Sequence, residues 1–216
     1  MRQDLIAVGD VGGSGGRVST LSRGKKGWSF KTRYTFAHPV HSLWLSDHQG
    51  NTRHRLAWDP FLIQAGLVTG LGILAAEPGN HLLSFGIDSW GADGVWLNRL
   101  GDPLLPAILG HDHLWDEVKD EMDRILPARE RFRLTGTYPN NYLVVNQVYW
   151  GVKNGFAASE LCAVFLPLPS LYHYWFSGQQ AVEPTWLTTG QLGSCHSRAY
   201  CQEVFERLGL PADKMP

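Results

Sequence analysis

Leu5 to Asp10, Arg17 to Leu21 and Trp28 to Phe36 are short apolar or alternating runs separated by glycine turns, the pattern of a three-stranded meander. In the third run Trp28, Phe30, Thr32, Tyr34 and Phe36 occupy alternate positions, which predicts that the five share one face. A polar, histidine-containing loop is expected next. Asp59-Pro60 then supplies a helix cap and a first-turn proline, and the apolar stretch behind them predicts a helix to about Ala76, ended by Pro78-Gly79. Glycines at 66, 70 and 72 weaken such a helix by about 1 kcal/mol each relative to alanine, so they predict close packing against a sheet.

Leu82 to Ile87 reads as a buried strand that delivers Asp88 at its carboxyl end. A second strand, Val95 to Leu97, follows the bend Ser89-Trp90-Gly91-Ala92-Asp93-Gly94. Beyond a turn at Gly101-Asp102 and a loop around Gly110-His111-Asp112-His113, helices are predicted near 114–126, 144–154, 167–177 and 199–209, with a strand over 162–166. No internal repeat or low-complexity linker interrupts the chain. Three strands, a helix, another strand and then mixed elements predict an α/β class with a mixed sheet and flanking helices.

Composition narrows the function. The 216 residues are 44% apolar and 12% aromatic with nine Trp, and 20 acids nearly balance 19 bases. That argues against a disordered tail or a nucleic-acid scaffold. Nine of the 19 bases lie in residues 1–60 against four acids, mostly around Arg23, Lys25, Lys26, Lys31 and Arg33, and read as a solvated hairpin face. No run approaches the ~18 apolar residues of a membrane span, and the start runs into a strand without a secretory apolar region, so a cytoplasmic location is expected. Cys162, Cys195 and Cys201 are odd in number and match no zinc spacing, which favours buried thiols or a reducing compartment over a Cys195-His196 ligand pair.

The octet Asp10-Val11-Gly12-Gly13-Ser14-Gly15-Gly16-Arg17 is the most informative segment. Its glycines let successive backbone N–H groups turn toward an anion, and such a nest cradles phosphate oxygens; a merely flexible hairpin turn is the plain alternative. A dinucleotide fingerprint fails because Val18 stands where its third glycine belongs. A Walker loop fails because the segment ends in Gly-Arg-Val. What is left is a phosphate loop between two antiparallel strands, with Asp10 facing the phosphates through Mg²⁺ or its waters.

An Asp-x-Gly turn joining the first two strands and ending in Gly-Arg resembles the first phosphate motif of the actin, hexokinase and sugar-kinase superfamily. Gly86-Ile87-Asp88-Ser89-Trp90-Gly91-Ala92-Asp93 is similar to the Gly-Ile-Asp-Thr-Trp-Gly-Val-Asp stretch of rhamnulokinases, a branch of the FGGY carbohydrate kinases. Weaker echoes follow in the same order: Trp58-Asp59, Thr135-Gly136, Asn146-Gln147, Pro169 to Gly178, and Thr188 to Leu192.

The resemblance implies a ribonuclease-H-like lobe and ATP-dependent, Mg²⁺-assisted phosphorylation of a sugar hydroxyl, with a deoxy-ketohexose such as L-rhamnulose as the leading substrate. By position, Gly13, Ser14, Gly15, Gly16 and Arg17 match the nucleotide phosphate loop, Asp10 the acid at the metal, and Gly91 the glycine that contacts the ketose. It further implies that residues 1–216 are the amino-terminal lobe, that the catalytic base is to be expected beyond Pro216, together with the carboxyl-terminal lobe, and that the chain alone does not turn over. His111-Asp112 replaces the family's Arg-Asp, Pro169-Ser170 replaces Pro-Asp, and Gly94 after Asp93 is similar to fuculokinases; fuculokinase or xylulokinase activity is thus an alternative.

Asp88 is a candidate sugar-hydroxyl acceptor, since strand carboxyl ends line ligand crevices, with a purely local turn-capping role as the equal alternative. Trp90 is a candidate apolar platform for a sugar face, although a Trp in a chain holding nine is more often a core residue, and Asp112 is a candidate sugar contact; Asp93 reads rather as structural. His111 and His113 flank Asp112 like ligands, but such loop histidines are more often solvated. A non-catalytic module that holds a sugar or nucleotide without reacting is the second function class, and an actin- or chaperone-like ATPase, which leaves the Gly86–Asp93 stretch unexplained, the third.

Overall fold

The computed structural model describes residues 2–216. The chain divides into two compact units, residues 2–41 with 58–90 and residues 42–57 with 91–216.

In the first unit β1 (Gln3–Gly12), β2 (Gly15–Gly24) and β3 (Gly27–Ala37) form the expected meander, and helix α1 (Pro60–Ala76) leads into β6 (Asn80–Ser89). The strands are ordered β3-β2-β1-β6, with β6 parallel to β1. Asp59 caps α1 by accepting from the Leu62 N–H at 2.9 Å, and Asn80 Nδ2 donates to the Leu74 carbonyl at 2.9 Å at the other end. Two of the three helix glycines do what the sequence predicts. Gly66 lies against the Phe36 ring and Gly70 against Val18 and Tyr34, leaving no room for a Cβ at either, whereas Gly72 faces open space.

The shared face expected of β3 is not observed. Val18 of β2 pairs with Tyr34 and Ser19 with Thr32, so Arg33 is an extra residue that reverses the alternation. Tyr34 and Phe36 therefore turn toward α1, on the same side as Val18. Trp28, Phe30 and Thr32 turn to the opposite face, where Trp28 and Phe30 are exposed and the Arg23 guanidinium lies over the Trp28 ring. The bulged Arg33 forms an ion pair with Glu77, just past the end of α1.

The second unit contains what the sequence left as a polar loop. β4 (His41–Ser46) and β5 (Thr52–Trp58) form a sheet of order β4-β5-β8 with β8 (Ala107–Ile108). The Asp47 carboxylate closes the hairpin by accepting from the Gln49 and Asn51 N–H groups and from Asn51 Nδ2, each at 2.9 Å. Asn51 holds that carboxyl below the usual aspartate value. β7 (Gly94–Leu97) pairs antiparallel with β9 (Val164–Pro167).

The predicted helices are present with shifted ends: a 3₁₀ turn (His113–Trp115) running into α2 (Asp116–Ile125), then α4 (Val144–Lys153), α5 (Leu168–Ser177) and α7 (Gln202–Leu208). Helices α3 (Ala128–Thr135) and α6 (Pro184–Thr189) were not anticipated; α3 is short and charged, and α6 is a six-residue helix. The core of this unit joins Trp96, Met122, Val148, Phe165 and Val204. Among the described residues no helix is long and apolar enough to cross a membrane.

Candidate functional site

The octet forms the tip of the β1–β2 hairpin. Gly12 pairs with Gly15, leaving Gly13 and Ser14 as the exposed two-residue turn. None of its four glycines adopts a positive φ, so conformational freedom is not the reason for them. Close approach is: a Cβ on Gly15 would lie 2.7 Å from the Phe36 carbonyl oxygen, and one on Gly16 would enter the Phe36 ring. The position above Gly13 is open, with nothing within 4 Å of a Cβ there.

At the base of the turn Arg17 donates from Nε at 2.8 Å and from Nη2 at 2.5 Å to Asp10 Oδ2. The expected metal-facing acid and the expected phosphate-facing cation are thus held together. Asp10 also pairs in register with Asp88 on the parallel strand β6, so the two carboxylates stand side by side on one face near the carboxyl ends of their strands. Asp88 is exposed. No group of three or more His, Cys, Asp and Glu able to hold a metal occurs among the described residues. Two carboxylates with room for water are nonetheless the oxygen donors that Mg²⁺ takes when phosphate completes its shell.

Beneath the turn lies a residue that the sequence did not mark. His38 is 1% exposed, stacks on Trp90 with centroids 5.8 Å apart and meets Trp58 edge-on at 5.6 Å. Trp58 and Trp90 are 4.7 Å apart, so Trp90, a candidate sugar platform, is half-buried as one wall of an aromatic cluster. Neither His38 nitrogen completes a hydrogen bond. Burial pushes its pKa below the ordinary 6.5, partly opposed by the nearby carbonyls of Gly12 and Gly15.

In the second unit Gly91 lies against Trp186, and a Cβ there would sit 2.9 Å from its Cδ1. Gln147 of α4, 2% exposed, fixes the next three residues: its Nε2 donates to the Ala92 carbonyl at 2.7 Å and its Oε1 accepts from the Gly94 N–H at 2.9 Å. Sequence reasoning noted Asn146-Gln147 only as an echo. Two adjacent amides, Asn146 and Gln147, within an apolar helical run were the available signal, and both are buried.

Asp93 is buried and accepts from the Gly110 N–H. Asp112, a candidate sugar contact, is 7% exposed, with Oδ1 accepting from the Leu114 N–H and Oδ2 from the Leu56 N–H, each at 2.8 Å. Those bonds cap the 3₁₀ turn and tether β5. His111 packs on Tyr142, while exposed His113 pairs with Asp116 at 2.9 Å. All three cysteines are free thiols, with Cys162 and Cys201 buried and Cys195 exposed. Pro216, beyond which the base is expected, is exposed and follows a short 3₁₀ turn (Ala212–Lys214).

No family model matches the chain. It is 27% identical over 159 residues to the rhamnulokinase of Halalkalibacterium halodurans, covering 74% of this chain and 34% of that protein. It is 26% identical over 210 residues to the rhamnulokinase of Bacteroides thetaiotaomicron, covering 97% of this chain and 41% of that one. Over most of its length the chain is similar in sequence to rhamnulokinases. It spans about two fifths or less of the length of these relatives. Among solved structures, xylulose kinase from Lactobacillus acidophilus superposes with a TM-score of 0.79 at 13% identity over 99% of this chain and 41% of that one. Plasmodium falciparum glycerol kinase with ADP gives 0.75 at 15% identity over 96% and 41%. The fold is therefore the mixed α/β fold of the actin, hexokinase and sugar-kinase superfamily, as the two glycine-containing motifs implied.

Proposed function

We propose that this chain is the amino-terminal lobe of an ATP-dependent sugar kinase, acting in the cytoplasm on a deoxy-ketohexose such as L-rhamnulose. The observation that carries the reading is the Asp10–Arg17 pair at the base of an exposed glycine hairpin, on the same face as Asp88. Homology to rhamnulokinases supports the substrate class.

Phosphoryl transfer needs positioning and charge stabilisation more than covalent help from the protein. The exposed amides of Gly13 and Ser14, with Gly15 and Gly16 behind them, would receive phosphate oxygens. Arg17 would exchange part of its bond to Asp10 for a phosphate contact. Asp10 Oδ1, which has no hydrogen-bond partner among the described residues, is the atom left to hold Mg²⁺ or one of its waters. When bound, that cation neutralises phosphate charge. On the sugar side of the first unit, Asp88 offers an acceptor for a hydroxyl. In the second unit Gln147 keeps the Ala92–Gly94 segment from relaxing, while the space beside Gly91 is taken by Trp186. The base that takes the hydroxyl proton is placed beyond Pro216, outside these 216 residues, in keeping with the fraction of the relatives' length that the chain spans.

Thermal unfolding tests this reading, because a ligand that binds the native state raises Tm by mass action. L-Rhamnulose and pyrophosphate are each expected to raise Tm in a saturable way, and xylulose and glycerol to raise it less. Failure of every ketose and of pyrophosphate would overturn the assignment. Turnover of L-rhamnulose by the purified chain at a rate typical of kinases would overturn the placement of the base.

A further inference from the structure

The second unit encloses a cavity of about 260 Å³ that is lined by none of Asp10, Arg17, Asp88 or Gly91. It lies between the β4–β5 hairpin, β7, β8 and α4, and its walls are rich in carbon: Trp96, Trp115, Trp150 and Phe165, with Leu105 and Leu114. A cavity of about 150 Å³ already admits benzene, so this one has room for two fused rings. Aromatic walls favour a flat occupant, because ring pairs attract beyond the area they bury.

The polar groups around the cavity are almost all committed to the protein itself. Ser46 Oγ pairs with Thr52 Oγ1 at 3.1 Å, the Asp47 carboxylate takes the donors of Gln49 and Asn51, and the Gln147 amide holds Ala92 and Gly94. The indole N–H groups of Trp115 and Trp150 donate to the Leu109 carbonyl at 2.8 Å and to Glu117 Oε2 at 3.1 Å. Two guanidiniums are left. Arg53 and Arg55 stand at alternate positions of β5 and so share one face, and both line the cavity. Arg53 makes no hydrogen bond among the described residues, and Arg55 donates from Nη1 to the neighbouring His54 carbonyl at 2.9 Å. The carboxylates facing them do not use up the other donors. Glu117 Oε1 lies 3.9 Å from each guanidinium and Asp112 Oδ1 lies 3.7 Å from Arg55, beyond hydrogen-bond reach.

Charge and hydrogen bonding therefore make different demands on a ligand. The two cations already face Glu117 and Asp112, and Asp47 lines the same cavity, so an added negative charge would meet three carboxylates. The open N–H donors nevertheless call for acceptors. An uncharged acceptor meets both demands. We propose that this cavity binds a neutral, flat, two-ring compound with a carbonyl or ring-nitrogen acceptor at one edge. Arg53 and Arg55 donate to that edge, and the aromatic walls pack on the rest. The site is separate from the phosphate turn and does not depend on it. Because the hairpin forms one wall and β7, β8 and α4 the others, the ligand joins β4–β5 to the remainder of the unit and stabilises the folded state by mass action.

Coumarin, a neutral two-ring lactone, is the probe. N-Methylindole offers a similar flat shape without the carbonyl, and naphthoate adds a full negative charge. Each is titrated into the isotope-labelled chain while the Trp indole N–H resonances and Tm are followed. Coumarin is expected to shift the Trp115 and Trp150 indole resonances saturably, to raise Tm, and to bind about tenfold tighter than either comparator. R53M removes donors at a half-exposed position, so it should weaken coumarin by about threefold or more and leave N-methylindole unchanged. L105W, which places an indole in the cavity, should abolish coumarin binding with the rest of the amide spectrum retained. Absence of saturable shifts, tighter binding of naphthoate, coumarin binding retained in L105W, or an R53M affinity for coumarin equal to the parent's would each overturn the proposal. Shifts that follow protein concentration instead of coumarin would assign the cavity to a second copy of the chain and overturn it as well.

Discussion

Arg17 directs two donors at a single oxygen of Asp10, leaving the other carboxylate oxygen open on the same face. Both side chains are substantially exposed, at 56% and 36%. An exposed pair of this kind adds only about 0–1 kcal/mol to stability. R17Q should therefore leave Tm within a degree or two of the parent and weaken pyrophosphate binding at least tenfold in a fluorescence or calorimetric titration. A variant that lost several degrees and kept its affinity would assign the pair a structural role instead.

Gln147 satisfies one buried acceptor and one buried donor with a single side chain. Q147L would leave the Ala92 carbonyl and the Gly94 N–H unpaired, which predicts a loss of roughly 2–4 kcal/mol in denaturant unfolding. Q147E keeps the acceptor for Gly94 but turns a second carboxylate oxygen against the Ala92 carbonyl in a buried site, and should lose at least as much as Q147L. Equal stability of Q147L and the parent would show that water replaces the clamp.

The contact between Gly91 and Trp186 is steric, so it can be tested against itself. G91A should destabilise the chain by about 1–3 kcal/mol through overpacking. In a W186A background the same change should cost much less, a coupling that a double-mutant cycle reads directly. Additive losses would place the strain elsewhere.

Asp112 holds the N–H groups of Leu56 and Leu114 with separate oxygens. In D112N one of those donors must face an amide N–H₂, which predicts a loss of about 1–3 kcal/mol. Ketose affinity, corrected for the folded fraction, should change little. A selective loss of ketose binding at unchanged Tm would restore Asp112 as a sugar contact.

His38 also predicts a direction for acid sensitivity. Its folded-state pKa lies below 6.5, so between that value and 6.5 the unfolded chain binds the proton that the folded chain refuses. Stability should fall as pH drops through this window and be recovered as pH rises above 6.5. H38Q, which has no proton to bind, should lose less Tm over the same interval, and identical pH profiles for the two proteins would contradict this.

The meander, α1 and β6 could be located from the sequence because their apolar or alternating runs are bounded by punctuation that has a physical meaning: glycine turns, Asp59-Pro60 and Pro78-Gly79; the burial expected of Leu82 to Ile87 is met only by Ile87, and Leu83 is exposed. The hairpin β4–β5 could not. Its strands are largely exposed, so they carry no buried stripe, and they are held by contacts distant in sequence, such as Leu109 N–H to the Leu56 carbonyl. The glycine octet was legible as a turn, but the reason for Gly16 lies in Phe36, twenty residues on. His38 escaped notice because a histidine before a proline carries no local signature; only the folded chain brings Gly12, Trp58 and Trp90 around it.

The single unpaired residue in β3 gives that strand two orientations in eleven residues. Deleting Arg33 would restore a perfect zigzag and thereby set its two halves against each other. Either Phe36 keeps its seat between Gly16 and Gly66, or Trp28 keeps its place under Arg23, but an uninterrupted strand cannot deliver both. The irregularity works as a phase shifter, and the position of α1 on the sheet depends on it.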